Sequence, residues 1–145
     1  MNETTVTLLG NAATGVVYRE TAAGIAMARF RLAVTVRRWE RARERWTEAY
    51  TSFYTVWAWR SLAANVAASV AIGEPLVVQG KLRVREEEVM EQGPGASRAG
   101  PRRLSADIEA IAVGHDLSYG TSAFRRVAKA KPGLTRGQGA AAAPG

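Results

Sequence analysis

Between Ala28 and Arg37 the chain reads ARFRLAVTVR, and its alternation is close to strict. Ala28, Phe30, Leu32, Val34 and Val36 hold the even places, while Arg29, Arg31, Thr35 and Arg37 hold odd ones. A period of two sends successive side chains to opposite faces of a strand. The segment therefore predicts a sheet with one buried face and one wet face rich in arginine. The same rule returns in PLVVQGKLRVRE, where Leu76, Val78, Leu82 and Val84 oppose Gln79, Lys81, Arg83 and Arg85. TTVTLLG opens the chain as a strand, VVYRE leads through an AAG turn into the arginine strand, and LSADIEAIAVG closes the set. TSFYTVWAWR supplies a further strand, with Phe53, Thr55, Trp57 and Trp59 on one face and Tyr54, Val56 and Ala58 on the other. Both of its faces are apolar enough to bury, so periodicity does not say which rings belong to the core.

Breaks separate these strands. NAATG is a turn, RARERWTEAY lacks alternation and reads as a charged hairpin loop, and EEVMEQGPGASRAGPRR reads as a long flexible one. SLAANVAASVAIGEP reads as a helix: Leu62, Val66 and Val70 recur every four residues, Ser61 is the expected N-cap, and Gly73 and Pro75 end it. The order strand, strand, strand, helix, strand, strand predicts a mainly β protein. It matches the OB-fold, a five-stranded Greek-key barrel with one helix between strands three and four. Residues 1–117 form the expected domain. Residues 118–145, rich in Ala, Gly and Pro, form an expected flexible tail that is basic in its later part, with ordering to about residue 126 at most.

Composition narrows the function. Twenty Lys and Arg against thirteen Asp and Glu leave a formal charge of +7 over 145 residues, which points to an anionic partner, nucleic acid first. There is no cysteine, hence no disulfide or thiolate chemistry. The opening MNETTVTLLG has no signal-peptide pattern, and Asn65, Ser69, Glu74 and Pro75 interrupt the most apolar stretch. A soluble, cytoplasmic, nucleoid-associated protein is expected, with no membrane partner.

Catalytic constellations are not expected. His115 is the single histidine and lacks a nucleophile elbow; one histidine without cysteine is a poor zinc set; no phosphate-binding glycine loop occurs. The cluster Glu86, Glu87, Glu88 and Glu91 reads as a solvated loop. No cofactor, metal or enzyme activity is expected. Single-stranded nucleic acid needs cations along its backbone and flat faces for its bases. The rows Arg29, Arg31, Arg37 and Lys81, Arg83, Arg85 supply the first, as one basic surface if their strands are neighbours. Trp39, on the arginine face by alternation, and Trp46, in the charged loop, are candidates for the second. Double-stranded DNA calls for a polar reading helix, and the one helix here is alanine-rich and uncharged from Ser61 to Gly73. RNA binding and a structural role, with the rings forming a subunit interface, are the alternatives.

Three stretches, in order, carry a resemblance: LLGNAATGVVYRETAAGIAMARFRLAVT, TSFYTVWAWRSLAANVA and GEPLVVQGKLRVR. Together they resemble the bacterial single-stranded DNA-binding proteins over residues 4–117, most closely the high-GC Gram-positive branch. The resemblance implies an OB barrel, a homotetramer, and sequence-tolerant binding of single-stranded DNA in replication, recombination or repair. It implies base stacking at Trp39, Phe53 and Trp59, with Glu87 where a hairpin tryptophan is usual. It also implies an acidic, phenylalanine-ended tip that recruits other enzymes. This chain ends GQGAAAAPG after a basic tail, so a paralogue without tip-mediated recruitment is expected.

Overall fold

A computed structural model describes residues 2–90 and 99–128. In chain order the elements are β1 (Thr4–Ala12), β2 (Val17–Glu20), β3 (Ala26–Glu40), β4 (Arg45–Trp59), α1 (Arg60–Ser69), β5 (Pro75–Met90) and β6 (Ala99–His115). Four of the five even places of the arginine strand point inward as expected, while Val36, at the end of the row, is exposed. Ala28, Phe30 and Leu32 of β3 meet Val56 and Ala58 of β4, Leu76 and Val78 of β5, and Ile108 of β6 in one buried core. Tyr54 and Val34 pack against it from the rim.

The strands run in the order β1-β5-β6-β4-β3-β2. β1 also pairs with β3 through Asn11↔Ala33 and Ala12↔Leu32, closing a five-stranded barrel from which β2 extends. Closure pairs the strands that would be edges of an open five-stranded sheet, and β2 keeps the outer edge. Two glycines make it possible. A Cβ on Gly10 would sit 2.5 Å from the Ala33 carbonyl oxygen, and one on Gly80 would sit 2.3 Å from that of Glu109. Gly10 lies just before the closing pairs. Gly80 lies at the register shift between β5 and β6.

Ala-rich α1 buries Ala63 and Val66 against the barrel. Its cap differs from the expected one. The N-cap is Trp59, without a side-chain cap hydrogen bond, and Arg60 turns the chain from strand to helix at φ +60°. Ser61 is already inside the first turn. The helix ends at Ser69, and Gly73, at φ +88°, donates its N–H to the Ala12 carbonyl. Among the described residues no helix is long and apolar enough to cross a membrane.

Both expected hairpin loops give way to strand. β4 begins at Arg45, so only residues 41–44 turn, and Glu44 takes positive φ there. The alternation is hidden because the register slips between Val36↔Tyr50 and Arg37↔Glu48, which leaves Ala49 unpaired. β5 likewise runs to Met90 and β6 starts at Ala99. Glu86, Glu87 and Glu88 therefore belong to a strand, while the centre of that loop, with Glu91, lies outside the described residues. Residues 116–128 follow the last strand without helix or strand, and Phe124 is exposed with Arg126 over its ring rather than docked on the barrel. The rest of the tail also lies outside the described residues.

Candidate nucleic-acid interface

The outer face of the barrel is set by register. Residues paired across neighbouring strands share a face, and two such rows can be followed across four strands. Arg29 of β3 pairs with Trp57 of β4, Trp57 with Glu109 of β6, and Glu109 with Lys81 of β5. One step along, Arg31, Thr55, Asp107 and Arg83 form the parallel row. The two cationic strands do not adjoin, as one merged basic surface would require. β4 and β6 stand between them, bringing aromatic rings and two carboxylates.

Five of the six cations have a local partner on this face. Arg31 lies over the Phe53 ring at 5.1 Å and Arg29 over Trp57 at 5.8 Å, both within cation–π range. On the β5 side, Arg85 pairs with Asp107 at 3.0 Å, Arg83 with Glu109 at 3.6 Å, and Lys81 with Glu3 at 3.5 Å. The β3 arginines thus keep their charge beside rings, whereas the β5 cations are partly neutralised. Arg37 is exposed opposite Glu48, beyond the register shift.

The candidate rings sit on this outer face or continue it. Phe53 is 50% exposed and Trp59 39% exposed. Trp39 and Trp46 pair directly across the far end of the β3–β4 hairpin. Their centroids are 5.5 Å apart and the planes cross at 66°, an edge-to-face pair that leaves both rings exposed. Trp46 is therefore a strand residue packed on Trp39, not a loop tryptophan. Glu87 lies in β5 with its backbone opposite Arg103; its side chain lies outside the described residues.

Two residues of this face, Asp107 and Glu109, escape the sequence reading, and Trp57, whose role periodicity leaves open, belongs to the face as well. Trp57 is half-buried and packs outside the barrel beside Trp59, with rings 11° from parallel and centroids 6.5 Å apart. Asp107 and Glu109 flank inward Ile108, and the same period of two in SADIEAI was the signal that would have found them. His115 is structural: its Nε2 lies 3.0 Å from the Glu74 carboxylate, which also accepts the Ala71 N–H at 2.7 Å. That backbone hydrogen bond first, and His115 second, hold the Glu74 pKa below the usual carboxylate range.

Fold and face define a small closed OB barrel whose outer surface combines exposed rings with arginine. The sequence profile of the Single-strand binding protein family matches residues 3–100. Single-stranded DNA-binding protein 2 of Streptomyces avermitilis is 57% identical over 126 residues, covering 87% of this chain and 73% of its own length. Single-stranded DNA-binding protein 1 of Streptomyces coelicolor is 50% identical over 89% of this chain and 76% of its own. The crystal structure of the small single-stranded DNA-binding protein from Streptomyces coelicolor superposes with a TM-score of 0.70 at 49% identity. That match covers 83% of this chain and all of the other. The second single-stranded DNA-binding protein from Mycobacterium smegmatis gives a TM-score of 0.60 at 27% identity, over 86% of this chain and 99% of the other. The chain belongs to the Single-strand binding protein family, as an actinobacterial-type member.

Proposed function

We propose that this protein binds single-stranded DNA without catalysis and with little overall sequence preference, protecting exposed strands in replication, recombination or repair. One observation carries the reading: Phe53 stands exposed on the outer face with Arg31 over its ring, in line with exposed Trp59 and continuous with Trp39. A ring of this kind takes an unstacked base, and the guanidinium beside it meets the neighbouring phosphate. Trp39, Phe53 and Trp59 stack bases, with Trp46 holding Trp39 and adding contact at the hairpin tip. Arg29, Arg31 and Arg37 take most of the phosphate contact; Lys81, Arg83 and Arg85 contribute less because carboxylates already face them. Residues 1–117 carry the binding, and residues 118–145 are an appended tail. The protein acts as a homotetramer in the cytoplasm, associated with the nucleoid.

Titration with oligo(dT) across a salt series tests this directly. Tryptophan fluorescence falls on binding, and affinity drops as salt rises because condensed counterions are released. Absence of both quenching and a gel shift at low salt overturns the proposal. Sedimentation of the free protein tests the tetramer.

A further inference from the structure

Between β4, β6 and β5 the outer face holds a hollow of about 230 Å³, lined by Trp57, Trp59, Arg83, Arg85, Asp107 and Glu109. It is smaller than the roughly 300–1,000 Å³ of drug-sized sites, a scale that suits one flat ring system. Its walls are of two kinds. On one side, Trp57 and Trp59 run near-parallel at 6.5 Å, too far apart for full face-to-face contact, so the pair keeps ring surface to offer. Arg29 covers Trp57 from the β3 side, and β6 lies on the other side of β4, where the hollow is. On the opposite wall stand the two ion pairs, Arg83 with Glu109 and Arg85 with Asp107. Each sets carboxylate acceptors beside guanidinium donors.

Hydrogen-bonding groups of this kind distinguish bases, whereas a bare stacking platform does not. The Asp107 side chain is 13% exposed and held at 3.0 Å by Arg85. The Glu109 and Arg83 side chains are 47% and 70% exposed and meet at a looser 3.6 Å, so this pair is the accessible one. We propose that the hollow receives one base of the bound strand, stacked on the Trp57–Trp59 pair, and favours guanine over thymine. Guanine presents N1–H and N2–H to a single carboxylate and O6 to a neighbouring guanidinium, the complement of Glu109 and Arg83. Thymine presents one N–H flanked by two carbonyl oxygens, which leaves a carboxylate oxygen facing an acceptor. The inference rests on the proposed single-stranded DNA binding, and it adds a local bias to a grip that is otherwise tolerant of sequence.

The test is a competition at fixed salt between oligo(dT) and the same strand carrying one central dG. The wild-type protein prefers the dG strand by about 5–10-fold, the lower part of the range for a base-specific carboxylate or guanidinium contact. The readout is the ratio between strands, because removing a negative charge changes affinity for every strand. Glu109→Gln brings the ratio close to one. Trp57→Ala weakens the dG strand more than oligo(dT), and Trp57→Phe, which keeps a ring, restores the ratio. Equal binding of the two strands by wild type, or a ratio that survives Glu109→Gln, overturns the guanine subsite and leaves single-stranded DNA binding intact. Failure of both strands to bind overturns the broader reading, and the subsite with it.

Discussion

Phe53 and Tyr54 are neighbours in sequence and opposites in role. Phe53 projects into solvent beneath Arg31, while Tyr54 packs against the core. Substitution separates the two roles. Trp39→Ala and Phe53→Ala are each expected to weaken oligo(dT) binding by ~1–3 kcal/mol, the contribution of one stacked base, with little change in melting temperature. Tyr54→Ala is expected to lower the melting temperature, because it removes a ring from the barrel rim. Paired fluorescence titration and thermal denaturation check all three. Glu74 is a residue-scale test of another kind. Its pKa is lowered in the folded state, so its stabilising effect is present above the ordinary glutamate value near 4.5 and is lost as pH falls through the lower folded value. Urea denaturation should therefore find Glu74→Gln less stable than wild type at neutral pH. That difference should fade as pH is taken below the ordinary glutamate value near 4.5 and through the lower folded one.

At the scale of elements, barrel closure depends on strands approaching more closely than a side chain permits. Gly80→Ala places a methyl 2.3 Å from the Glu109 carbonyl oxygen and 2.8 Å from Ile108 Cγ2. The strands must part, and a loss of ~1–3 kcal/mol is expected by denaturant unfolding, as for other overpacked sites. Since Glu109 lines the outer hollow, the same change is expected to disturb binding as well. The β3–β4 hairpin shows where element boundaries were legible and where they were not. From Ala28 to Val36 the alternation was readable, because each inward residue is apolar and each outward one largely is not. Beyond Val36 the strand leaves the core, both faces become wet, and charge no longer reports direction. The slip at Ala49 then breaks the period on β4, so a strand looked like a loop. The helix was readable from its alanines, but its cap was not. An arginine at φ +60° is a choice made by the strand-to-helix junction and not by local preference.

For the molecule as a whole, charge count and charge placement give different expectations. The net charge of +7 draws in an anionic strand, but placement decides which cations release counterions. Arg31→Ala is expected to reduce the slope of log affinity against log salt by about 0.7, the value for one phosphate contact on a single strand. Arg83→Ala should reduce it by clearly less, because Glu109 already faces that guanidinium. Equal effects from the two variants would show that the ion pairs open completely on binding. What the sequence by itself determined is the set of faces: a period of two assigns each strand residue to one side, and that made the barrel, its inward residues and the arginine rows readable. Only the tertiary structure decided which strands adjoin. Contacts between β4 and β6 join residues some fifty positions apart, such as Trp57 and Glu109, and no local pattern encodes that pairing. Closure of the barrel set acids and rings between the two cationic rows, and so gave, in place of the single basic surface that neighbouring rows would form, one with a ring-lined hollow and its own hydrogen-bonding groups.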